Sequence, residues 1–209
     1  MNPASADHNQ EMPGPPEIDN PNGFSGPMLH LGIAEQGKLH AVAGDHQLAL
    51  MYYRRAMQMT VENGDEEWFF RHYLECVIES LELMGEYDDV LEYCDKAIGL
   101  YADSHPTDDL SIRDLAHIHQ RKAVILIKKD QMPAAIESLR TSVGLARDAS
   151  QSIPLAERLL RWAESGFKLD TARILAEQKR ERYFTVREDN IDPNRAVRLP
   201  PQMLSISPI

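Results

Sequence analysis

Residues 85–97 read GEYDDVLEYCDKA, a short turn followed by a segment with a regular apolar spacing. Counted from Gly85, apolar residues stand at +5, +9 and +12, where the chain carries Val90, Cys94 and Ala97. Steps of three and four residues place such side chains on one face of an α-helix. The stretch therefore predicts a turn that leads directly into an amphipathic helix.

The same frame of a turn, a small residue, a large residue and another small residue occurs at two further places. It comprises Gly44 with Ala49, Tyr53 and Ala56, and Asp130 with Ala135, Leu139 and Ser142. Small residues let two helices cross closely, and a bulky one fills the space between successive pairs. This pattern resembles the tetratricopeptide repeat, a helix-turn-helix unit of about 34 residues. The turns recur from 44 to 85 and from 85 to 130, so the units here are longer.

Breaker residues divide the chain between its ends into eight expected helices. Their expected ranges are 28–43, 45–62, 66–84, 88–102, 108–129, 133–149, 154–165 and 170–184. Strand patterns are nearly absent, so the sequence predicts an all-α solenoid of antiparallel helix pairs, like that of tetratricopeptide proteins, over 28–184. Residues 1–27 are Pro-rich, with four acidic and no basic side chains, and are expected to be a disordered acidic tail. Residues 185–209 are expected to form an extended tail that contains proline.

Composition argues against several classes of partner. The formal net charge is −11, with 33 acidic and 22 basic side chains, whereas nucleic acids and anionic lipid surfaces attract basic proteins. The sequence contains no run of eighteen apolar residues, so it predicts no insertion into a membrane. The two cysteines, Cys76 and Cys94, match no zinc pattern and are expected to be reduced core residues of a cytoplasmic protein.

Motifs for catalysis are missing from the sequence, which contains no phosphate-binding loop, nucleophile elbow or zinc-protease motif. His117 and His119 are two residues apart on an expected helix, and their side chains point in directions about 200° apart. We therefore expect neither an enzyme nor a bound metal or other cofactor. A helical enzyme or metal protein is the least favoured reading.

The resemblance to tetratricopeptide proteins implies that the first helices of the pairs line a concave groove. The side chains expected to bind a partner there are Lys38, His72, Glu75, Glu79, Glu82, Gln120, Arg121 and Lys128. The three glutamates form a row beside an apolar entrance and a basic exit. The matching ligand is a protein segment with Lys or Arg flanked by aliphatic side chains. The alternative is that this carboxylate row is simply a solvated helix face.

The C-terminal tail is richer in apolar residues than the N-terminal one. Its expected anchors are Val197, Leu199, Met203, Leu204 and Ile206. The Pro200-Pro201 pair stiffens the segment and lowers the entropy cost of docking. Such a tail suits a hydrophobic groove on its own helices or on a neighbouring protein, including another copy of the chain. A featureless, protease-sensitive end is the alternative.

These observations favour a non-catalytic scaffold or adaptor that binds a protein segment and belongs to a larger assembly. The alternative is an acidic secretion or assembly chaperone that holds an extended client in its concave groove. Small acidic cytoplasmic proteins of three tetratricopeptide-like repeats have that role. An adaptor stays with its partner at fixed stoichiometry, whereas a chaperone releases its client.

Overall fold

The computed structural model describes residues 28–104 and 107–204, and these residues are mainly helical. The helices are α1 (Leu29–Val42), α2 (His46–Asn63), α3 (Glu67–Met84), α4 (Tyr87–Ser104), α5 (Asp109–Lys128), α6 (Met132–Asp148), α7 (Pro154–Glu164), α8 (Thr171–Arg180) and α9 (Pro201–Leu204). Two 3₁₀ turns, Glu188–Asn190 and Pro193–Arg195, precede α9. The all-α prediction is confirmed, and the first seven helices lie within two residues of their expected bounds at each end.

Most of the described links between helices share one backbone turn, with one residue at positive φ. At Gly85, φ is +87°, and its N–H donates to the Glu82 carbonyl while that of Glu86 donates to the Leu81 carbonyl. This pair of bonds satisfies carbonyls that would otherwise lack partners at the helix end. Asp130 adopts the same left-handed conformation, with φ of +58°, which a short polar side chain tolerates better than most. Each turn reverses the chain, so consecutive helices pack together.

The residues of the repeated frame lie in the core, as their spacing predicts. All nine positions are fully buried except Ala97, which is half-buried. Gly37 of α1 lies against α2 so closely that a Cβ there would stand 2.7 Å from Cε1 of Tyr53. The small residues are therefore required where helices cross.

Three linked apolar clusters form the core. The first lies among α5, α6, α7 and α8, and the second extends from the end of α1 to α5. Leu91 packs against both of these clusters. The third lies among α1, α2 and α3 and includes Val197, Leu199 and Leu204 from the end of the chain. The C-terminal residues are thus part of the core.

The last long helix differs from its expected range of 170–184, because α8 ends at Arg180. Arg182 has a left-handed φ of +53°, and the N–H of Tyr183 donates to the Gln178 carbonyl. This turn directs Tyr183 and Phe184 back towards the helices, where Phe184 is buried. Residues 183–204, which we call the docked tail, then run across the stack. Residues 1–27 and the expected anchor Ile206 lie outside the described residues.

Candidate functional site

The docked tail lies on the same helices that the sequence analysis assigned to a binding groove. Residues from α1, α3 and α5 contact it along its length. We call the surface formed by Gly32, Glu35, Glu79, Glu82 and Arg121 the tail groove. The tail crosses it from α5 and α3 to α1, and then reaches α2.

Glu79 binds the beginning of the docked tail through main-chain groups. Its carboxylate accepts hydrogen bonds from the N–H groups of Thr185 and Val186, the second at 3.0 Å. Only 2% of Glu79 is exposed. Burial raises the pKa of this carboxyl group, and the charge of Arg121 and the two N–H donors oppose that shift. Glu79 therefore holds the beginning of the docked tail through two backbone N–H groups.

The middle of the docked tail is attached to α1. The N–H of Asp192 donates to Oε1 of Glu35 at 2.6 Å, and the N–H of Val197 donates to the Gly32 carbonyl at 2.9 Å. A Cβ on Gly32 would stand 2.4 Å from Cγ2 of Val197. The absence of a side chain at Gly32 is therefore what lets the tail approach this helix.

The end of the docked tail fills an apolar depression between α1, α2 and α3. Val197, Leu199 and Leu204 are buried there, and Met203 is half-buried. The N–H of Leu199 also donates to the Tyr52 hydroxyl at 3.3 Å. These anchors dock on the chain's own helices, which is one of the two alternatives that the sequence left open.

Glu82 lies beneath the start of the docked tail and is 1% exposed. Its carboxylate accepts hydrogen bonds from Lys128 at 2.7 Å, from the Gln178 amide at 2.6 Å and from the Tyr183 hydroxyl at 2.9 Å. Burial beside this carboxylate raises the pKa of Tyr183. The cluster joins α3, α5 and α8 through one buried charge and its partners.

Arg121 joins the same region from α5. Its guanidinium donates to Glu75 at 2.7 Å and to the Tyr183 hydroxyl at 3.2 Å, and it lies 5.5 Å from the centre of the Tyr183 ring. Glu75 is about one-third exposed, whereas Arg121 is almost fully enclosed. The expected basic exit and the expected carboxylate row therefore neutralise each other within the protein.

The remaining predicted side chains lie outside this cluster. Lys38 pairs with Glu35 at 3.0 Å. Gln120 is buried, and its side-chain oxygen accepts a hydrogen bond from the N–H of Ala156 at 3.1 Å, which holds the start of α7. His72 lines an open cavity, and burial lowers its pKa. The eight predicted residues are thus divided between the tail groove, internal packing and open surface.

The view of the three glutamates as a solvated helix face is wrong for Glu79 and Glu82, which are buried. Sequence reasoning also missed Gly32, Glu35 and Tyr52 as residues that contact the tail. Gly32 offered one signal, since glycine inside a helix weakens it and indicates a close approach. The acceptors Glu35 and Tyr52 offered none, because the position of the tail was not known.

Open space remains beside the tail groove. A cavity of about 540 Å³ lies between α3, α5, the start of α7 and the turn after α8. Glu75, Gln120 and Arg121 line it, together with Arg113 and His117. A second cavity, of about 630 Å³, shares Glu75 with the first and extends along α3 and α4. Of the predicted binding residues that line this space, Glu75 is partly exposed, whereas Gln120 and Arg121 are buried.

Residues 28–104 and 107–204 contain no group of three or more His, Cys, Asp or Glu side chains placed to hold a metal ion. None of the helices in these two ranges has the length and apolar character needed to cross a membrane. No protein-family model matches the chain, and no curated protein or solved structure is significantly similar to it. The tetratricopeptide resemblance stays a prediction from the repeated frame.

Proposed function

We propose that the protein is a non-catalytic interaction module, a scaffold or adaptor that binds an extended segment of a partner protein in the tail groove. The observation that carries this proposal is how the groove holds the docked tail. Five tail N–H groups donate to acceptors on α1, α2 and α3; they belong to Thr185, Val186, Asp192, Val197 and Leu199. Main-chain bonds supply affinity for extended peptides, while pockets for alternate side chains supply specificity.

The surface around the tail groove supports the same proposal. Trp68 at the start of α3 is 55% exposed, and Leu100 and Leu110 are 72% and 64% exposed. Two of these three residues line the second cavity, and Leu110 lines the first. Aromatic and aliphatic side chains beside a polar cavity are typical of surfaces that contact other proteins. The net charge of −11 favours association with a basic partner.

Cross-linking of the full chain in its native source tests the proposal. We expect one protein to be retained at fixed stoichiometry, with cross-links from an extended segment to α1, α3 or α5. Mass spectrometry identifies both the retained protein and the linked positions. Recovery of the chain alone, or cross-links only to α4 and α6, contradicts the proposal.

The chaperone alternative rests on the same main-chain bonds. A groove that holds backbone groups accepts clients of different sequence, as an assembly chaperone must. The two functions differ in what happens after binding. A chaperone holds its client in soluble form and releases it during assembly, so the complex disappears from mature assemblies. An adaptor remains in them at constant ratio.

A further inference from the structure

The docked tail indicates the chemistry of the segment that the tail groove accepts. We propose that residues 197–200 are an internal substitute for the partner, and that the partner carries the same pattern. That pattern is a β-branched aliphatic residue, one unrestricted residue, a second aliphatic residue and a proline. This inference rests on the proposed function and adds the recognition sequence and a competitor within the chain.

The first position of the pattern is defined by Gly32 on α1. A Cβ at Gly32 would meet the tail first, since its three nearest atoms would be Cγ2 and Cβ of Val197 and the Arg195 carbonyl oxygen. The Val197 side chain is fully buried there, and its N–H donates to the Gly32 carbonyl. A compact branched side chain at this position therefore lies directly against the helix backbone.

The next positions alternate between inside and outside. Arg198 is exposed, whereas Leu199 is 6% exposed and packs with the apolar cluster of α1, α2 and α3. Residues two apart in an extended segment point to the same side, so Val197 and Leu199 enter the groove together. Arg198 lies between the aliphatic residues Val197 and Leu199, the same order that is predicted for a partner segment. Because Arg198 is exposed, the side chains that the groove contacts here are those of Val197 and Leu199.

Proline completes the pattern because it restricts the backbone. Pro200 follows the second aliphatic residue and favours an extended conformation for the residue before it. A segment already extended in solution loses less entropy when it docks. A partner with this proline therefore competes better than one without it.

The beginning of the docked tail has bonds of its own that do not involve its end. Between the two anchored parts, Arg187 donates to the Phe184 carbonyl and to Asp189, and Asn190 donates to the Thr185 carbonyl. These bonds stay within the tail and support the turn around Glu188–Asn190. Release of residues 191–204 would therefore leave these bonds, and those to Glu79, in place.

Competition within one chain sets the expected affinities. A tethered segment behaves like a ligand at a concentration of about 1 mM, so a free peptide binds the intact protein poorly. We expect a labelled peptide of residues 191–204 to bind the full-length V197D/L199D variant at least tenfold more tightly than wild type. Adding Gly32→Ala to that variant should weaken peptide binding at least tenfold. Adding Gly144→Ala, on α6 with no atom within 4 Å of its new Cβ, should not change it.

Hydrogen exchange on the wild-type protein provides a measurement that does not depend on variants that fold poorly. Excess unlabelled peptide should speed exchange of the Val197 and Leu199 amides and leave those of α6 unchanged. Equal peptide affinity for wild type and the V197D/L199D variant, insensitivity to Gly32→Ala, or unchanged exchange at saturating peptide each overturns the proposal. Wild-type dimers that the V197D/L199D variant cannot form also overturn it, since the tail of a second copy would then be the occupant.

These outcomes are distinguishable from failure of the proposed function. If the peptide behaves as expected but cross-linking retains no partner, the recognition pattern stands and the scaffold role fails. If a partner cross-links to α3 or α5 while the peptide tests fail, the scaffold role stands. The tail is then a fixed structural element and does not compete with the partner.

Discussion

Substitution of Gly32 by alanine tests whether the tail is seated on α1, because two opposing effects depend on it. Alanine inside a helix is more favourable than glycine by about 0.5–1 kcal/mol. The new Cβ, however, would lie 2.4 Å from Cγ2 of Val197, and such overpacking costs about 1–3 kcal/mol. We therefore expect Gly32→Ala to be about 1–3 kcal/mol less stable than Gly144→Ala, the helix substitution without that clash.

Urea denaturation followed by far-ultraviolet circular dichroism measures both free energies of unfolding. The same pair of substitutions is then made in the V197D/L199D background, where the tail no longer presses against α1. There, Gly32→Ala should gain as much stability as Gly144→Ala, so its effect relative to the parent protein changes sign. The reasoning is refuted if Gly32→Ala already stabilises the otherwise wild-type chain as much as Gly144→Ala does.

Three further predictions concern buried polar groups. Glu82→Ala leaves Lys128 as an unpaired buried charge and should lower the free energy of unfolding, measured by urea titration, by about 3–5 kcal/mol. The control Glu92→Ala, which removes one partner of an exposed pair, should lower it by less than about 1 kcal/mol, and equal losses contradict the buried cluster. Burial lowers the pKa of six histidines, His30 among them, so below pH 6.5 the unfolded chain binds more protons than the folded chain does. The melting temperature should therefore fall between pH 7.5 and pH 5.5, and an unchanged or higher value at pH 5.5 refutes this. Both cysteines are buried, and burial raises the pKa of Cys94 to about 12. A thiol reagent at pH 8 should therefore label the protein only as fast as the protein opens, and rapid labelling of the native chain would exclude this packing.

The helical array could be predicted from sequence because its signals are local. Apolar spacing and turn residues such as Gly44 and Gly85 act within a few positions, and the first seven helices begin and end close to their predicted residues. The predicted end of α8 was wrong because it depends on contacts with residues far away in the sequence. Residues 181–184 are compatible with a helix by themselves, but the Tyr183 hydroxyl reaches Glu82 on α3 because the chain turns at Arg182.

The candidate site was harder to predict because its chemistry depends on pairs far apart in the chain. The helical pattern placed Glu79 and Glu82 on one face but could not show that this face is covered. Glu79 binds residues 106 and 107 positions away, and Glu82 binds Tyr183 across 101 positions. The sequence predicted that the apolar tail docks in a groove, but only the tertiary structure shows that this groove belongs to the same chain.

The bond between Asp192 and Glu35 joins residues 157 positions apart and thereby turns a linear array into a closed loop. In an open array each unit contacts only its neighbours, so an end helix such as α1 frays first. Here α1 gains full protection only after the other end of the chain has returned to it. Contacts of such large sequence separation generally form slowly, so we expect this step to follow the local pairing of neighbouring helices. We therefore expect that opening α1 also breaks its contacts with residues 192–197, so that its opening costs more free energy than that of a free end helix.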